Sequence, residues 1–180
     1  DKRVDAIVPT VAWNSLNDSL YPGGAFKTSW SSMLVLGLLR TGARVNPELY
    51  AGVLLGDLLG ILTPYQQKLL RQSSPGALVD NITAPTLVVQ GTVDDLFPLR
   101  QAITNVQLLS DNVDAQGNPV PVKMVWFCGG HGVCLDPQSP IQGQLLTLET
   151  LNWLNRYVKG NTSVNTGPVF QWVDQRGQFY

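Results

Sequence analysis

The chain has 180 residues, 44% of them hydrophobic and 14% charged, with a net charge of -1 and a pI near 5.7. That much apolar material supports one domain with a sizeable core and excludes intrinsic disorder. With no basic field to gather phosphates, nucleic acid is excluded as a partner, and membrane-surface binding has no electrostatic support.

Charged residues fall well below the usual quarter or so of a soluble domain, so part of this surface is expected to pack against further polypeptide. The first residues, "DKRVDAI", read as a turn running straight into a strand, so the chain is expected to begin inside a domain, with no targeting segment to read. "VDAIVP" at 4–9 is a short β-branched run stopped by proline, as a buried strand would be. A loop rich in Trp, Asn and Gly follows, "TVAWNSLNDSLYPGGAFKTSW". The period then changes, predicting helices over 30–40, 47–62 and 64–74, with Pro47 and Pro64 in first turns and Gly42 and Gly76 as stops. This block is apolar almost all round, and Gly52, Gly56 and Gly60 recur every four residues, which implies close helix packing within an insertion. Its longest apolar stretches, "MLVLGLL" and "YAGVLLGDLLGIL", fall short of the roughly 20 residues needed to span a bilayer, so no membrane span is expected.

"APTLVVQG" at 84–91 is the strongest strand, a continuous apolar run of the kind that parallel sheets bury on both faces. An amphipathic helix over 98–110 presents Leu99, Ala102, Ile103, Val106 and Leu109 on one face. A second strand, "VKMVWF", runs directly into "FCGGHGVCLD". A last helix, with Ile141, Leu145, Leu148, Leu151, Leu154 and Val158 read as its buried face, stops at Lys159-Gly160. Strand, helix, strand, helix gives an α/β class with a parallel sheet. The tail "NTSVNTGPVFQWVDQRGQFY" breaks this pattern: residues 161–180 read as a linker and an opening hairpin, turning at Gln175-Arg176-Gly177.

In open parallel sheets, function gathers in loops beyond the carboxyl ends of strands. The first such loop here, "TVDDLFP", carries Asp94 three residues beyond Gly91; the second carries His131, the only histidine of the chain. An acid after one strand and a histidine after the next match the last two members of a Ser, Asp, His triad, in which the carboxylate fixes the imidazole tautomer and stabilises the imidazolium. Asp95 is the rival acid, and the Gly-x-x-Asp register favours Asp94. Asp136, in an Asp-Pro context, reads as a turn residue. Trp13 and Tyr21 are candidates for the wall of a substrate pocket, or else plugs of a core. Cys128 and Cys134 flank the histidine, and three arrangements stand: a disulfide closing the loop, two buried thiols, or a Cys, His, Cys zinc site short of a fourth ligand. A disulfide would imply an extracytoplasmic compartment; thiols would fit the cytoplasm.

"DKRVDAIVPTVAWNSLNDSLYP", "PTLVVQGTVDDLFPL" and "GGHGVC", in that order, resemble the second half of the catalytic domain of the Xaa-Pro dipeptidyl-peptidase and cocaine-esterase-like acyl hydrolases. The resemblance implies a partial α/β-hydrolase fold over 1–160 with a helical cap at about 26–80, and the start of a C-terminal β-sandwich (jelly-roll) domain over 161–180. It further implies a serine hydrolase that cleaves small acyl esters or Xaa-Pro amides without cofactor or metal, with Asp94 and His131 as acid and base. One departure matters. No Gly-x-Ser-x-Gly elbow occurs anywhere in the chain, so the nucleophile is expected upstream of Asp1. The alternative is a hydrolase-fold module that only binds or assembles.

Overall fold

The computed structural model describes residues 3–180. In chain order the elements are α1 (Leu16–Leu20), α2 (Thr28–Thr41), α3 (Pro47–Leu59), α4 (Pro64–Gln72), β1 (Thr86–Gly91), α5 (Leu99–Ser110), β2 (Val122–Phe127), α6 (Pro140–Tyr157) and β3 (Phe170–Val173). The fold is mixed α/β, with six helices and a three-stranded parallel sheet among the described residues. Two compact units share the chain: an α/β unit of residues 3–14 with Gly76–Tyr180, and a helical unit, Ser15–Pro75.

In the α/β unit the sheet order is β1-β2-β3, and every residue of β1 is buried. β1 is covered on its second side as well, where Val89 N donates to Pro9 O and Val11 N donates to Val89 O. The segment expected as a strand over 4–9 therefore runs parallel to β1 but pairs only through isolated bridges. Pro9 has no N–H, so the ladder loses its middle rung.

Alternation along β1 divides its side chains between two layers. Val88 faces Ala102, Val106 and Leu109 of α5, whereas Leu87 and Val89 face Leu146, Trp153 and Tyr157 of α6. The expected buried face of α6 is corrected here. Ile141, Leu148, Leu151 and Val158 are about half exposed, and the helix instead buries Gln142 and Trp153. Polar partners in the sheet decide the matter. Gln142 binds the backbone of Cys128, Glu149 pairs with Lys123, and Trp153 Nε1 donates to Pro85 O. A face that satisfies three polar groups outcompetes a plain apolar stripe.

Lys123 is the second residue of β2, with only 2% of its side chain exposed, and its ammonium meets Glu149 at 2.6 Å, Thr166 O and Gln171 Oε1. One cation thereby ties β2 to α6, to the following linker and to β3. Beyond β3 the chain turns through Asp174 and Gly177 and returns antiparallel, with reciprocal hydrogen bonds between Trp172 and Tyr180. The first strand of this hairpin is thus also the edge strand of the α/β sheet. The steps from β1 to β2 and from β2 to β3 cross the sheet in one direction, yet α5 and α6 lie on opposite faces. Two such crossovers have opposite hands, so one departs from the right-handed rule of regular βαβ units.

In the helical unit, α3 starts at Pro47 behind an Asn46 cap, and α4 starts at Pro64 behind a Thr63–Gln66 capping box. The glycine repeat separates into two roles. A side chain at Gly52 would press on Gln66 and one at Gly56 would sit 2.4 Å from the Phe26 ring, whereas Gly60, at φ 71°, ends α3. Met33, Leu39, Leu54, Leu58 and Leu59 remain exposed. No helix among the described residues is long and apolar enough to cross a membrane.

Glu149→Gln strands a buried ammonium without its anion and is expected to cost about 3 kcal/mol, the low end for a buried pair because Glu149 keeps some exposure. The double change Lys123→Met with Glu149→Leu is expected to be neutral or stabilising. Urea denaturation midpoints at pH 7 with an unchanged m-value distinguish the two outcomes.

Candidate active site

The loop after β1 is fastened to the loop after β2 by its backbone: Thr92 N donates to Phe127 O at 2.8 Å and Val93 N to Gly129 O at 3.3 Å. Asp94 follows, its side chain wholly buried. A buried carboxylate demands donors, and it collects four. Oδ1 accepts from Leu96 N at 3.0 Å and Phe97 N at 2.7 Å, a local Asx turn; Gln90 Nε2 approaches Oδ2 at 3.4 Å; and His131 Nδ1 lies 2.9 Å from Oδ2 and 3.1 Å from Oδ1.

The ionised carboxylate only accepts, so the network assigns the neutral-ring proton of His131 to Nδ1. Nε2, on the far side of the ring, then carries the basic lone pair. The His131 side chain is 30% exposed, so an imidazole partly open to solvent is held from behind by a sealed carboxylate.

Glycine makes the approach possible. A Cβ on Gly130, at φ 105°, would stand 2.6 Å from Asp94 Cβ, and one on Gly132 would stand 1.8 Å from Val93 O. The two loops meet at distances that only glycine permits. Aromatic rings close one side: Phe97 packs edge-on against His131 at 5.2 Å, and Trp13 lies 5.1 Å from Phe97. The Trp13-Asn14 turn is itself held from α5, with Asn14 N donating to Gln101 Oε1 and Asn14 Nδ2 to Asn105 Oδ1.

The structure therefore brings Asp94, His131 and, through Phe97, Trp13 together. Tyr21 lies in the helical unit, where its N–H closes α1 on Asn17 O. Asp95 is exposed, and Asp136 is exposed and bonded to Gln175 Nε2. Cys128 and Cys134 are joined as a disulfide, with Cα atoms 6.0 Å apart, so neither offers a thiolate to zinc. Sequence reasoning missed Gln90 and Gln142. Gln90 has no exposed surface, binds Phe97 O at 2.8 Å and braces Asp94; Gln142 grips both the N–H and the C=O of Cys128. A lone amide inside "TLVVQG" was the available signal for the first, since an interior strand tolerates a polar side chain only when it has partners. No protein-family model matches the chain, and no curated protein matches it.

Gly130→Ala and Gly117→Ala both place a side chain at positive φ, but only Gly130 also faces a neighbour that cannot yield. Gly117→Ala is expected to cost about 1 kcal/mol and Gly130→Ala at least about 2 kcal/mol more, measured by denaturant midpoint.

Proposed function

We propose that Asp94 and His131 are the orienting acid and the general base of an α/β-hydrolase-type serine hydrolase, acting on acyl esters or Xaa-Pro amides through an acyl-enzyme. The observation that carries this reading is the two-point contact of a sealed carboxylate with Nδ1, which leaves Nε2 as the base. In the first step Nε2 takes the proton of a serine hydroxyl as its oxygen attacks the acyl carbon. The imidazolium, stabilised by Asp94, then protonates the departing alcohol or amine. In the second step Nε2 takes a proton from water, hydroxide attacks the acyl-enzyme, and the serine recovers its proton from the imidazolium. No cofactor enters.

The nucleophile belongs to polypeptide outside residues 1–180. Within the α/β unit the serines are Ser110, Ser139 and Ser163, and each is engaged locally, since Ser110 bonds Val106 O, Ser139 caps α6 and Ser163 bonds Asn161. None lies on a strand-to-helix elbow between glycines. The helical unit fits the role of a cap, and the hairpin that begins at β3 fits the entry to a β-sandwich domain, as the unequal hands of the two crossovers favour. The Cys128–Cys134 disulfide fits an oxidising, extracytoplasmic compartment.

Residues 1–180 alone are expected to resist labelling by a serine-directed fluorophosphonate and to turn over neither aryl esters nor Xaa-Pro amides. A longer polypeptide that supplies the elbow serine is expected to label and turn over. In it His131→Ala abolishes nearly all activity, Asp94→Asn costs about ten-thousandfold in kcat, as in the well-studied protease case, and Asp95→Asn does little. Labelling of a serine within 1–180 that disappears with His131→Ala would place the nucleophile inside the chain instead.

A further inference from the structure

We infer that the Cys128–Cys134 disulfide positions His131, and that its two-electron reduction by a dithiol releases the imidazole from Asp94; this rests on the base role proposed above. The bridge encloses residues 128–134 with His131 at the centre. The two halves of that loop are held differently. On the β2 side, Gln142 Oε1 accepts from Cys128 N at 3.1 Å, Gln142 Nε2 donates to Cys128 O at 2.8 Å, and Gly129 O accepts from Val93 N. On the far side, Val133 is 87% exposed and Leu135 fully exposed, so neither packs on the unit. Half-buried Cys134 lies between them, and its sulfur is fastened by the bridge and by Gln138 Nε2 at 3.2 Å.

Glycines at 129, 130 and 132 give this segment more backbone freedom than any other residue type would. They are needed for the close approach to Asp94 and Val93, and they would leave an unbridged loop free to sample conformations in which Nδ1 and the carboxylate are apart. The bridge removes that freedom by fastening Cys134, between two exposed residues, to the seated Cys128.

Cys128 is 9% exposed and Cys134 more so, which directs a thiolate to the Cys134 sulfur. Attack there breaks the Sγ–Sγ bond. The electron pair leaves on Cys128 Sγ, which takes up a proton. The second thiol of the reductant then resolves the mixed disulfide, giving two cysteine thiols and the oxidised, cyclic reductant. Two electrons and two protons pass from the dithiol to the protein.

The single histidine makes the test direct. The full chain, 15N-labelled at histidine, is observed before and after dithiothreitol, with complete reduction verified by alkylation of two thiols and mass measurement. Reduction is expected to abolish the protected Nδ1-bound proton and give the mixed tautomers of a loose imidazole, reversibly on reoxidation, while β1 and β2 amides keep their exchange protection. Cys134→Ser, which leaves the Gln142 grip on Cys128 intact, is expected to match the reduced protein. An imidazole spectrum unchanged by complete reduction overturns the inference and leaves the proposed function standing. Loss of β1 and β2 protection overturns it too, because the bridge would then be a staple of the fold. An oxidised chain lacking the Nδ1-bound proton overturns the base role itself, and the inference with it.

Discussion

The Asp94 carboxylate has no exposed surface on its side chain, and the architecture of the site follows from that constraint. A carboxylate stays ionised away from water only where hydrogen-bond donors replace its hydration. Two backbone amides come from its own turn, a side-chain amide comes from the penultimate residue of a buried strand, and the imidazole completes the set. The same demand fixes the histidine proton at Nδ1. The contact that occupies Nδ1 is thus what leaves His131 a base at its other nitrogen.

The parallel sheet delivers both loops to one end, and glycines let them touch. β1 and β2 run in register from Thr86↔Val122 to Gly91↔Phe127, so the residues that follow each strand emerge side by side. Gly91 begins the contact, since a Cβ there would meet Gly129 O at 2.1 Å. Behind the site, the polar face of α6 serves two ends with one helix: Gln142 seats the start of the histidine loop, and Glu149 neutralises Lys123 inside the sheet. A change at Gln142 therefore reaches the site through the backbone of Cys128.

Much of this was legible in the sequence. The run "APTLVVQG" and the 3.6-residue period of 98–110 gave β1 and α5 to within a residue or two, because burial on both faces and one-sided amphipathicity leave simple patterns. The pairing of Asp94 with His131 was legible from their places after consecutive strands. The rest depended on partners far along the chain. The buried face of α6 was misread because its polar residues answer Lys123 and the Cys128 backbone, which no local period reveals. The ladder beside β1 was read as a continuous strand because the missing donor of Pro9 matters only once its neighbour is known. The membership of β3 in the sheet was hidden by the long linker before it.

The most direct test of this base assignment is the long-range 15N spectrum of the one imidazole, in its neutral form, in the oxidised chain, with Asp94→Asn alongside. A protonated Nδ1 and an unprotonated Nε2 are expected in the native protein. That preference is expected to be lost in Asp94→Asn, where the side chain can present a donor to the ring. A native imidazole protonated at Nε2, or one whose tautomer is indifferent to Asp94→Asn, would contradict the assignment.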